Sequence, residues 1–168
     1  MTELSTNNIR VLDIKYGTSV DGPGLRTSIY CAGCTNRCPG CHNPQSWDTA
    51  GGEAMSVNEL FRLIEDADMN VTFTGGDPML HPEGFIELAS MIKSRTNKNI
   101  WCYTGYLFED LLRNPSQREL LEYIDVLVDG RFIEALRDEE LRFRGSSNQR
   151  IINVQASLEK GETVVMDI

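Results

Sequence analysis

The stretch CAGCTNRCPGCHN, Cys31 to Asn43, packs four of the chain's five cysteines into eleven residues. Clustered thiols can hold a tetrahedral zinc, form two disulfides or ligate an iron–sulfur cluster. Spacing weighs these options. Zinc ribbons pair two CxxC knuckles about 15–20 residues apart, so that they face each other across the metal. Here Cys31/Cys34 and Cys38/Cys41 are separated only by Thr35, Asn36 and Arg37. The unit Cys34-x3-Cys38-x2-Cys41 offers another solution: three thiolates from one short loop hold three irons of a [4Fe–4S] cluster and leave the fourth open. An open metal position belongs to a reactive site rather than a structural one. Cys31 then ends the preceding strand as a small buried hydrophobe, and Cys102 has the same reading. A zinc-binding interaction module without catalysis stays open at this point.

The rest of the chain must position that loop. IRVLDI (9–14) and LRTSIYC (25–31) read as strands around the turn Asp21-Gly22-Pro23-Gly24. Ser56-Val57-Asn58-Glu59 has capping-box form, followed at helical spacing by Leu60, Phe61 and Ile64. NVTFTGG (70–76), KNIWCYTG (98–105), IDVLVDG (124–130) and RIINVQ (150–155) are further strands. Residues 82–95 form a helix with Phe85, Leu88, Met91 and Ile92 on one face, and 107–123 are helical with a break at Asn114-Pro115. Alternating strands and helices predict one α/β domain over residues 1–168 with a mainly parallel sheet. The chain is too short for eight βα units, which take about 250 residues, so the expectation is an incomplete, open (β/α) barrel. Ligand loops gather at the C-terminal ends of parallel strands. The cysteine loop, Gly75-Gly76-Asp77, Thr104-Gly105 and Asp129-Gly130 therefore converge on one rim.

Composition excludes some classes. A net charge of −9 lacks the basic footprint of a nucleic-acid binder. No run approaches the roughly 20 apolar residues of a membrane span. The N-terminus, MTELSTNNIRVLDI, has no secretory pattern, so a cytoplasmic protein with reduced thiols is expected and disulfides recede.

Several motifs resemble a known family. Cys34-Thr-Asn-Arg-Cys38-Pro-Gly-Cys41 is similar to the CxxxCxxC cluster motif of radical S-adenosylmethionine (SAM) enzymes, and Gly75-Gly76-Asp77-Pro78 resembles their SAM loop. DGPGLRTSIYCAGC (21–34) is similar to the lead-in of glycyl-radical-enzyme activases. WCYTGY (101–106), IDVLVDGRF (124–132) and FRGSSNQR (143–150) resemble the activating proteins of anaerobic ribonucleoside-triphosphate reductase. The resemblance implies a radical SAM barrel in which Cys34, Cys38 and Cys41 ligate a [4Fe–4S] cluster and SAM chelates the open iron. It further implies SAM contacts from Gly40, Cys41, His42, Gly75, Gly76 and Asp77. Gly75 and Gly76 are expected to let the backbone approach the methionine moiety without a Cβ in the way. The implied partners are the large reductase subunit, which receives a glycyl radical, and a reduced flavodoxin-like electron donor. An activase of another glycyl radical enzyme, such as pyruvate formate-lyase, is the alternative. The segment Arg131–Arg150, with Arg137, Arg142 and Arg144, reads either as a solvated charged face or as a docking surface to which RGSSNQ gives hydrogen bonds.

Overall fold

The computed structural model of the chain describes residues 7–34, 48 and 51–168. Seven strands form a single sheet: β1 (Asn8–Thr18), β2 (Arg26–Cys31), β3 (Glu53–Ser56), β4 (Asn70–Gly75), β5 (Ile100–Tyr103), β6 (Val126–Asp129) and β7 (Arg150–Asn153), in the order β3-β1-β2-β4-β5-β6-β7. The central strands β2, β4, β5 and β6 are mutually parallel. The flanking pairs β1–β2, β1–β3 and β6–β7 are antiparallel. The sheet thus keeps the expected parallel centre, is mixed through its antiparallel flanks, and does not close.

Five helices follow from local signals. In α1 (Val57–Asp66), Ser56 is the N-cap and accepts the Glu59 N–H at 3.1 Å, while Val57, Leu60, Phe61 and Ile64 face inward. In α2 (Pro82–Arg95), Phe85, Leu88, Ala89 and Ile92 are buried, with Met91 packed at the margin. Asn114-Pro115 separates α3 (Phe108–Leu111) from α4 (Pro115–Leu121), and the Asn114 side chain caps α4 through the Gln117 N–H. The last element is α5 (Val154–Lys160), capped by Asn153. The strand expected over 150–155 thus ends at Asn153. No helix among the described residues is long and apolar enough to cross a membrane.

Strand alternation sends Ile29, Cys31, Val71, Phe73, Ile100, Cys102, Leu127 and Ile152 to the face the helices cover, in one apolar core. Burying each such Ile, Leu or Phe side chain contributes about 1.5–3 kcal/mol. Cys31 and Cys102 are core residues, as expected, and His81 is exposed. Alternate positions, Tyr30, Thr72, Thr74, Trp101 and Tyr103 among them, belong to the other face. No helix of the described residues covers that face. Trp101, Val126, Val128 and Ile151 form a smaller cluster there with Tyr103, Phe143 and Met166.

Candidate functional site

The rim expected from the glycine-ended strands exists, and backbone hydrogen bonds bind its loops together. The Gly76 N–H donates to the Cys31 carbonyl and the Asp77 N–H to the Gly33 carbonyl, both at 2.7 Å. These bonds hold the loop after β4 against the start of the cysteine loop. The Gly130 N–H donates to the Tyr106 carbonyl at 3.2 Å, joining the loops after β5 and β6.

Contacts within the chain themselves require glycine here. A Cβ on Gly75 would lie 2.4 Å from the Cys31 nitrogen, and one on Gly76 would lie 2.4 Å from the Gly33 carbonyl oxygen. Gly75 also has φ +99°, which L side chains adopt rarely. The close approach is therefore between two loops of this chain, and it sets where the cysteine loop departs. Cys34 follows at the top of β2, half-buried. Cys31 instead pairs with Gly75 in the sheet and is 3% exposed, and burial pushes its thiol pKa upward, away from the thiolate a metal takes.

Asp77 is the second brace. Its carboxylate is 3% exposed and accepts three bonds: the Thr104 hydroxyl at 2.8 Å, the Gly105 N–H at 2.9 Å and the Met79 N–H at 3.0 Å. Burial raises its pKa to about 6, against the pull of those donors. The short aspartate side chain thus ties the loop after β4 to the loop after β5. At β6, buried Asp129 accepts the Phe108 N–H and pairs with Arg150, which also reaches Glu109 at 2.6 Å.

Below the rim, the DGPG turn lies against the helix-free face. Arg26, at 0% exposure, donates to the Thr72 hydroxyl and the Val71 carbonyl at 2.8 Å each, to Asn99 Oδ1 at 2.6 Å and to the Pro23 carbonyl at 3.1 Å. Its guanidinium lies over the Trp101 ring, 5.6 Å from the centroid, and burial lowers its pKa to about 10. The Thr72 hydroxyl donates to the Asp21 carbonyl, and the Tyr30 hydroxyl donates to the Asp21 carboxylate. A Cβ on Gly22 would come 2.8 Å from Arg26 Cδ, so this turn too is glycine by contact.

The connection from β6 to β7 runs beside that face, and between them lies an open cavity of about 570 Å³. Asp21, Thr74 and Tyr103 line one side, and Phe132, Leu141 and Phe143 the other. A mixed apolar and polar lining at this size suits a small ligand or part of a larger one. Several side chains of RGSSNQ bond within the chain. Gln149 Oε1 accepts the Gly145 and Ser146 N–H groups at 2.9 and 3.1 Å, and Nε2 donates to the Gly130 carbonyl at 3.0 Å. Asn148 donates to the Arg131 carbonyl, and Ser146 bonds Asn148. These side chains shape the segment. Arg137 and Arg142 are exposed on it.

Of the expected site residues, Cys34, Gly75, Gly76 and Asp77 come together on the rim. Cys38, Gly40, Cys41 and His42 lie outside the described residues. Cys34 supplies a soft thiol on the rim, the donor type an iron–sulfur cluster takes. Arg26 and Tyr103 escaped the sequence reading, which singled out Gln149 only as part of RGSSNQ. An arginine directly after a glycine-rich turn, inside a strand that must be buried, was the available signal for Arg26.

Residues 20–152 match the family model described as a 4Fe-4S single cluster domain. The chain is similar to proteins named anaerobic ribonucleoside-triphosphate reductase-activating protein. That of Salmonella typhimurium is 34% identical, with 77% of this chain and 89% of the relative covered. The Escherichia coli K12 protein is 36% identical over the same shares, and that of Enterobacteria phage T4 is 38% identical over 79% of this chain and 86% of its own.

Proposed function

The chain belongs to the anaerobic ribonucleoside-triphosphate reductase-activating proteins, and we propose that it activates the large reductase subunit by radical SAM chemistry. The observation that carries this reading is the rim. The loop bearing Cys34 is locked by backbone bonds to the Gly75-Gly76-Asp77 loop, beside a cavity on the helix-free face of an unclosed sheet.

Cys34, Cys38 and Cys41 would hold the cluster, and Gly40, His42 and the Gly75–Asp77 backbone would border SAM. Bound there, a reduced cluster would supply the one electron for reductive cleavage of SAM, and SAM would supply the hydrogen-abstracting group that acts on a glycine of the reductase. The chain's own work is positional. Gly76 and Asp77 fix the start of the cysteine loop, so ligand and cluster meet at a set distance, and orientation of that kind replaces a bimolecular encounter. Asp77 acts as the brace that holds the two loops, while the neighbouring backbone is left to face SAM. Arg26, Trp101 and the DGPG turn fill the face below the cavity, excluding water beneath the reacting groups. The open edge leaves a path for a segment of a large protein substrate. A reduced flavodoxin-like protein is the proposed electron donor, and a cytoplasmic setting keeps the ligand thiols reduced.

The test is anaerobic reconstitution with iron and sulfide, then incubation with SAM and reductant. The proposal requires brown charge-transfer absorption, with methionine and 5′-deoxyadenosine as products. A single colourless metal and intact SAM would point instead to a zinc module.

A further inference from the structure

Strands β6 and β7 are antiparallel neighbours, with Asp129 opposite Arg150. A hairpin needs about 2–5 residues to join such strands, yet this connection takes all of residues 130–149. Long connections inside a compact domain are uncommon and usually carry function. This one is built. It contains a 3-10 turn at Glu134–Leu136, an antiparallel bridge from Arg137 to Ser146, and a Ser147 N–H bond to the Leu136 carbonyl at 2.9 Å. Phe143 holds φ +64°, the one non-glycine positive φ among the described residues, and sets its ring edge-on to Trp101 at 5.3 Å. Backbone strain of this kind persists only where the surroundings enforce it.

We propose that residues 130–149 form a specificity strap, with Gln149 as the positioning residue that sets the strap against the sheet. The cavity between strap and sheet then receives an extended polypeptide segment of the partner. This rests on the activase reading and adds which part of the chain selects the partner. Gln149 is placed for that role. Its carboxamide links the Gly145-Ser146 end of the strap to Gly130 at the strap's origin with three hydrogen bonds.

The cavity chemistry favours a peptide. The Tyr103 hydroxyl and Arg144 Nε are buried without a hydrogen-bond partner among the described residues, and Tyr103 and Arg144 both line the cavity. Both are donors, and an extended backbone carries a row of carbonyl acceptors. Buried donors left unpaired are costly, so an occupant that pairs them after a small side-chain adjustment is favoured. Val20, 72% exposed at the cavity, and Leu141 offer apolar contact to side chains flanking a small residue.

The experiment measures initial rates of glycyl-radical formation on the large reductase subunit, with holoprotein and varied reductase, for wild type, Gln149→Ala and Gln149→Glu. The strap predicts a KM for reductase raised about tenfold in Q149A with kcat within about twofold, the former equivalent to one decade in affinity. Q149E keeps the acceptor and loses the donor, and its KM rises by about threefold, roughly half that free energy. Iron content reports folding. Wild-type KM in both variants, or a fall in kcat with KM unmoved, overturns the strap's role. If Q149A does not retain iron, wild-type KM in Q149E overturns it alone. A wild-type protein that cleaves SAM but forms no glycyl radical overturns the activase reading itself, and the strap's role with it.

Discussion

The carboxylate of Asp77 accepts the hydroxyl proton of Thr104 at 2.8 Å, in the interior, across the gap between two neighbouring strand-end loops. A carboxylate in that position has a thermodynamic signature. Its pKa is raised to about 6 by burial, so the folded state holds the proton more tightly than the unfolded chain. The contribution is fully present below the ordinary aspartate range and is lost as pH rises through about 6. The unfolding free energy of wild type relative to Asp77→Asn should therefore fall by about 1.4 kcal/mol between pH 5 and pH 7.5. Denaturant titrations of both proteins at the two pH values measure it; a difference that does not change with pH would show that Asp77 is not held as described.

Gly75→Ala combines overpacking against Cys31 with an unfavourable φ and should cost about 2–4 kcal/mol. Gly161→Ala has a positive φ too, but nothing lies within 4 Å of the added methyl, and about 1 kcal/mol is expected. Thermal melts of the pair compare contact with conformation directly. Equal costs would mean the loops do not touch as closely as 2.4 Å implies.

The cysteines divide by environment. Cys31→Ala should leave about four irons per chain after reconstitution, the content of one [4Fe–4S] cluster. Cys34→Ala should lose most of the iron and the visible absorption. Loss of iron in the Cys31 variant would make it a ligand despite its place in the core.

At the other end of the rim, Arg150 joins a buried and an exposed acid. Arg150→Ala strands Asp129, whose side chain is 0% exposed, and should cost about 2–4 kcal/mol. Glu109 is 44% exposed, so solvent screening keeps the cost of Glu109→Gln under about 1 kcal/mol. The hydrogen bond from Arg150 holds the Glu109 pKa below the usual glutamate range. Its contribution is present above that range and disappears as pH falls through the folded value. Urea titrations of both variants from pH 7 to pH 3 read these effects; an E109Q deficit that grows on acidification would reverse the sign.

Much of the scaffold was legible because local chemistry decides it. Ser56 and Glu59 mark a helix start, Asn114-Pro115 breaks one helix and begins the next, and the β-branched run 70–75 can only be a buried strand. Pairing direction is different. β3 has no alternating pattern of its own, and its antiparallel order comes from lying beside β1. Val154 and Gln155 read as part of the preceding strand because Val154 continues its apolar run, while the turn into α5 depends on the Asn153 cap. At the site, motif spacing located Cys34 and the Gly75–Asp77 loop, but not the contacts that require those glycines. A side chain such as Gln149, whose partners lie up to nineteen positions away, looks in sequence like any polar loop residue.

The most direct measurement is electron paramagnetic resonance after anaerobic incubation of the reconstituted protein with SAM, reductant and the large reductase subunit. The account predicts a glycyl-radical doublet on the reductase, dependent on SAM and absent with Cys34→Ala. SAM cleavage without that doublet would contradict it.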